Sequence, residues 1–283
     1  MKKPAAPPGS ITDLQRKIHE IRRVDTSKVE LPYLVSKYSA LLHGATAHKY
    51  WGPALGEVWR GQIGYHSDVS RMSYPPKPQV DNFGRANPPN FSVFYGSCGS
   101  NARLACIEEL RAEPGETVTM LKWQLHQPTE PFVILGLGGV HEFFAGKPGA
   151  EKVEELFRRS QQQVRDRCGS DYGFRKNNLV LDFLDEIFLE KVEAGFEHRY
   201  VHGVAIVHCF IQGFACLGIL YRSVASGCRS LNVALAPRVI DKRYYPVEGR
   251  VVEVVAKRPD GIEYKLIAET TQFQEDGAIV WSQ

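Results

Sequence analysis

A chain of 283 residues with 43% apolar and 24% charged residues has the composition of an ordinary globular protein and can bury a core without staples. A net charge of +3 and a pI near 8.5 are too weak to imply nucleic-acid binding, although they suit an anionic small substrate. The six cysteines lack CxxC spacing and any zinc-type Cys/His tract. They read as reduced, buried thiols of a cytosolic protein.

Residues 1–10 are rich in Lys, Pro and Ala and carry no apolar run of signal-peptide type, so they read as a disordered tail. Ile11, Leu14, Ile18 and Ile21 recur at helical spacing, and a second helix is expected over 34–42 after Pro32. Strands follow at 58–62 and 92–96, separated by a Pro-, Asn- and Ser-rich loop over 68–89. Ser100 is placed to cap a helix reaching Leu110. Further strands are expected at 117–125 and 132–137, then a polar helix over 149–167 and a loop over 169–178. A helix over 179–194 carries Leu181, Leu184, Ile187, Phe188 and Val192 on one face, and another spans about 200–212. The apolar run over 201–220 holds His202, His208 and Gln212, whose mid-bilayer cost argues against membrane insertion. Strands at 217–221, 231–235, 247–257 and 264–274 complete the set, the last two joined as a hairpin through Pro259-Asp260-Gly261. Strands cluster at both ends with helices between them. That order is α+β and not a doubly wound sheet.

Some motifs lead nowhere. Gly136-Leu137-Gly138-Gly139 lacks the third glycine of a dinucleotide loop, since position 141 is His. His198 and His202 lie four apart but have no HExxH partner, so no metal site is expected. No GxSxG elbow occurs.

The informative residues come in blocks. They are Trp59-Arg60-Gly61, then Gly84-Arg85-Ala86-Asn87-Pro88-Pro89, then Val93-Phe94-Tyr95-Gly96-Ser97, then Leu104-Ala105-Cys106-Ile107-Glu108. Downstream stand Tyr221-Arg222-Ser223-Val224 and Leu231-Asn232-Val233-Ala234-Leu235. In this order the blocks resemble the RES domain, a family named for an arginine, a glutamate and a serine, over about residues 55–260. The resemblance implies a split β-sheet core like that of ADP-ribosyltransferases, with flanking helices and an N-terminal helical extension. It divides the chain into a tail and extension over 1–54 and a RES domain over 55–283, with a helical insertion around 141–178.

The resemblance further implies a cytoplasmic enzyme that degrades NAD⁺ as substrate, with no cofactor, as the toxin of a toxin–antitoxin pair. Its antitoxin would be a DNA-binding protein of the Xre type on a separate chain. Direct nucleic-acid and membrane contacts are not expected, and self-association remains open. Nicotinamide leaves the pyridinium as a neutral molecule, so one carboxylate can suffice where ordinary glycosidases need two. Glu108 is assigned to stabilise the oxocarbenium-like ribose, with Glu109 its rival. Arg60 and Arg85 would hold the pyrophosphate. Tyr95 would wall the pocket, Ser223 would orient Glu108 or an arginine, and Asn87 and Asn232 would complete the substrate contacts. Water, phosphate or a macromolecule could accept the ribosyl group. A catalytically inactive binding module is the remaining alternative.

Overall fold

Ser10 starts the first helix because its hydroxyl accepts the Asp13 N–H while Asp13 returns a bond to the Ser10 N–H. The computed structural model describes residues 7–47, 49–51, 55–99, 101–126, 132–137, 139–140, 151–214, 216–258 and 261–282. Gly138 of the Gly136-Leu137-Gly138-Gly139 motif, the expected Ser100 cap, the expected Pro259-Asp260 turn, residues 141–150 of the insertion and residues 1–6 of the tail lie outside them. The chain is mixed α/β, and its contacts divide it into two units.

Unit one comprises Met1–Tyr50, Asp81–Phe91 and Val133–Tyr221. Helices α1 (Ile11–Arg22) and α2 (Leu31–Leu42) bury Leu14, Ile18, Ile21, Leu34, Tyr38 and Leu41. Helix α2 starts at Leu31, ahead of the expected position, because Pro32 is tolerated in a first turn. Strand β1 covers Lys49–Trp51. Three further helices follow: α4 (Glu151–Cys168), α5 (Asp171–Leu189) and α6 (Val201–Phe214). The expected loop over 169–178 is mostly helix. Gly169 breaks the chain at φ +69°, and Ser170 immediately caps the next helix by accepting the Gly173 N–H at 3.0 Å. Helix α5 in turn stops at Leu189, five residues before its expected end. His198 lies in a separate 3₁₀ turn, Glu197–Tyr200, outside α6. The parallel pair β5 (Val133–Leu137) and β6 (Gly218–Arg222) aligns Leu135 with Ile219. No helix among the described residues is long and apolar enough to cross a membrane.

Unit two comprises Trp51–Val80, Ser92–Phe132 and Arg222–Gln283. Its strands are β2 (Glu57–Ile63), β3 (Phe94–Cys98), β4 (Thr117–Leu125), β7 (Leu231–Leu235), β8 (Tyr244–Arg258) and β9 (Gly261–Thr270). They lie in the order β7-β3-β2-β4-β8-β9, and every one of these pairings is antiparallel. Helix α7 (Pro237–Arg243), absent from the sequence reading, begins on a proline in its first turn. The expected 68–89 loop contains two 3₁₀ turns, Val69–Met72 and Lys77–Gln79.

Helix α3 (Ala102–Leu110) packs Ala102, Cys106 and Ile107 against Trp59, Val118, Met120, Val252 and Val254. Two glycines permit close packing. A Cβ at Gly61 would meet Leu110 Cδ1 at 3.0 Å and Cys106 Cβ at 3.3 Å, and one at Gly96 would meet Val58 Cγ1 at 2.4 Å. The helix begins at Asn101, which makes no side-chain cap bond. It ends where Arg111 turns left-handed at φ 54° and gives its N–H to Glu108 O. This close seat on β2 fixes where Glu108 and Glu109 emerge.

Candidate active site

The last turn of a helix is a poor place for negative charge, because its unpaired carbonyls already carry partial negative charge. Unit two places Glu108 and Glu109 there, side by side. Different partners hold each of them.

Glu109 is exposed overall, yet one of its oxygens is tightly held. Ser223 Oγ donates to Oε1 at 2.6 Å, and Asn232 Nδ2 donates to the same oxygen at 2.6 Å. Asn232 is itself oriented: Ser97 Oγ donates to its Oδ1 at 2.8 Å. Ser97 and Asn232 are direct cross-strand partners on β3 and β7, so the sheet register builds this contact. Ser97, Ser223 and Asn232 are all buried.

Ser223 sits at the mouth of a loop that its own polar groups staple. The Ser223 N–H donates to Ser230 O at 2.9 Å, and Cys228 N–H donates to Ser223 O at 2.7 Å. Ser223 Oγ accepts the Ser226 N–H at 3.1 Å, and Ser226 Oγ donates to Ser223 O at 3.0 Å. Ser230 Oγ lies 2.7 Å from Ser226 Oγ. Inside this loop Cys228 adopts φ 63°, a conformation that costs a non-glycine residue about 1–3 kcal/mol and persists only where its surroundings enforce it. The next residue is Arg229. Its Nε donates to Ser226 O at 2.8 Å and its Nη2 reaches Glu108 Oε1 at 3.0 Å. The Arg229 side chain is 52% exposed against 9% for Glu108. Burial raises the Glu108 pKa above its usual value, the adjacent Glu109 raises it further, and Arg229 opposes both.

Arg60 projects from β2 and is buried. Its Nη1 donates to Tyr95 O at 2.7 Å, and its guanidinium lies 5.3 Å from the Phe94 ring centroid. Burial pushes its pKa down to about 10, which leaves it charged at neutral pH. Its Nε is buried with no hydrogen-bond partner among the described residues. Cys106 Sγ donates to Trp59 O at 3.3 Å. Burial pushes that thiol up to about 12, which keeps it protonated at neutral pH.

Arg85 and Asn87 belong to unit one. Arg85 Nη1 donates to Phe188 O at 2.8 Å, and both its terminal nitrogens reach Glu190 O at 3.3 Å. Its guanidinium also lies 5.0 Å from the Tyr200 ring centroid and 5.7 Å from that of Tyr221. It therefore satisfies carbonyls at the end of α5, a structural use of arginine. Asn87 Nδ2 donates to Pro88 O at 3.1 Å while Asn87 O accepts the Gly84 N–H, which shapes the turn.

Within unit two, then, Ser97, Glu109, Ser223 and Asn232 converge. Ser223 meets Glu109, where the sequence reading gave it Glu108 or an arginine. Sequence reasoning missed Arg229 altogether, and it quoted Ser97 within a motif block without giving it a role. The only signal for Arg229 was a basic residue in the serine- and glycine-rich stretch between two strands. Among the described residues no three His, Cys, Asp or Glu side chains form a group able to hold a metal ion, and all six cysteines are free. No protein-family model matches the chain, and no curated protein matches it.

Proposed function

We propose that this chain consumes NAD⁺ by breaking the nicotinamide–ribose bond, with Glu109 as the carboxylate facing the ribosyl cation. The observation that carries this reading is the pair of 2.6 Å bonds from Ser223 and Asn232 onto one oxygen of an otherwise exposed carboxylate. Two neutral donors fix the group's direction without neutralising its charge. Such a carboxylate is preorganised for a cation that forms only in the transition state, an effect on the order of 10²–10³ in rate. Glu108 already has a cation in Arg229, so it is the weaker candidate.

In this reading Arg229, half-exposed beside the carboxylates, contacts the pyrophosphate, and Tyr95 walls the nicotinamide side. Arg60 braces β3 from beneath through Tyr95 O. The fold is read as ADP-ribosyltransferase-like, and the protein as a cytoplasmic toxin whose antitoxin is a separate chain. Water or phosphate accepts the ribosyl group.

The test is direct. Purified protein is incubated with NAD⁺ and free nicotinamide is measured with and without phosphate. Stoichiometric nicotinamide release is expected, and intact NAD⁺ after prolonged incubation contradicts the reading.

A further inference from the structure

A strand at the end of a sheet offers its outer N–H and C=O groups to any strand that fits. Strand β9 ends the sheet order of unit two. Its neighbour β8 shows which β9 groups point outward. Val254 donates its N–H to Glu116 O at 2.9 Å and accepts the Gly115 N–H at 2.8 Å, so its backbone faces the β4 side. Tyr264 lies opposite Val254. It therefore occupies a non-bonded position of that ladder and turns its own N–H and C=O away from β8. Alternation along β9 gives Ile262 and Leu266 the same outward groups.

Farther along, the edge is closed. Glu269 donates its N–H to Ser282 O at 3.1 Å and accepts the Ser282 N–H at 3.0 Å. Residues 261–267 have no such cover among the described residues. Tyr264, Leu266 and Ile267 are 38%, 44% and 39% exposed.

The open stretch is self-complementary. Two copies running antiparallel about a two-fold axis at Tyr264 set Tyr264 on Tyr264, Ile262 on Leu266, and Glu263 on Lys265. The outward backbone groups at 262, 264 and 266 then bond each other. An axis one residue later would place Lys265 on Lys265, and one residue earlier Glu263 on Glu263. Charge therefore selects the Tyr264 register. Glu263 also holds Arg258 within its own chain, in an exposed pair at 2.6 Å.

From these groups we infer that a second copy of this chain docks along β9 and joins the two sheets through an antiparallel Tyr264–Tyr264 pairing. Sedimentation equilibrium of the full chain over the micromolar range is expected to show a dimer. Tyr264→Pro removes the outward N–H together with the ring, leaves the β8 ladder bonds of its neighbours in place, and is expected to give a monomer. Lys265→Glu sets Glu on Glu twice and weakens the dimer at least about tenfold. The charge exchange Glu263→Lys with Lys265→Glu restores it. A parent chain monomeric throughout the range, or a dimer indifferent to Lys265→Glu, overturns the inference. The charge variants decide the matter even if Tyr264→Pro fails to fold.

Discussion

Ser223 donates its hydroxyl hydrogen to Glu109 at 2.6 Å across 114 residues of sequence, and the same hydroxyl accepts the Ser226 N–H. One side chain thus ties the loop after β6 to the last turn of α3. Ser223→Ala should lower nicotinamide release by roughly 10–100-fold with a smaller change in KM, because it misdirects Glu109 and touches no substrate. It also strands the buried Ser226 N–H, at a cost of about 1–3 kcal/mol. Ser223→Thr keeps the hydroxyl and should recover part of kcat. Full activity in Ser223→Ala counts against a positioning role.

Asn232→Asp replaces a neutral donor with a carboxylate 2.6 Å from the Glu109 oxygen. Two carboxylates at that distance cannot both ionise without cost. The variant should be less active and less stable at neutral pH, and it should regain stability as the pH falls and the new pair takes up a proton. Denaturant midpoints at pH 7 and pH 5 check this. An unchanged difference from the parent at both values contradicts it.

Buried His202 meets Tyr38 Oη at 3.0 Å through Nδ1, and burial pushes its pKa down from 6.5 to about 4. The unfolded chain therefore binds the proton first. Stability held above pH 6.5 is lost as pH falls through that window, by up to about 3 kcal/mol near pH 4. His202→Phe should flatten this part of the stability–pH curve relative to the parent. Equal slopes for the two proteins contradict the assignment.

Arg229→Lys and Arg85→Lys should behave differently. The first loses a forked guanidinium beside the carboxylates and should raise KM for NAD⁺ several-fold. The second loses bonds to Phe188 O and Glu190 O and should lower the thermal midpoint with little change in KM. A raised KM in Arg85→Lys returns that residue to the substrate.

Strands β2, β4 and β7 were legible because their alternation or apolar runs lie between clear turn residues. Helix α5 was cut short in the sequence reading because Gly169-Ser170 looks like a loop, although Ser170 is a cap. Helix α7 was missed because Ala236-Pro237 reads as a strand end. The arginine, glutamate and serine blocks were visible, but the choice between two adjacent glutamates was not. Neighbouring helix positions differ by about 100° in direction, and only the long-range seat of α3 on Gly61 and the Ser97–Asn232 register decide which one meets Ser223. Arg85 shows the reverse case. Its motif is plain, yet its guanidinium serves the end of α5.

Nicotinamide release by Glu109→Gln and Glu108→Gln, side by side with the parent, tests the central assignment most directly. Loss of about 10²–10³ in kcat is expected for Glu109→Gln, and a much smaller loss for Glu108→Gln, with both proteins folded and binding NAD⁺. Parent-like turnover by Glu109→Gln would contradict the assignment.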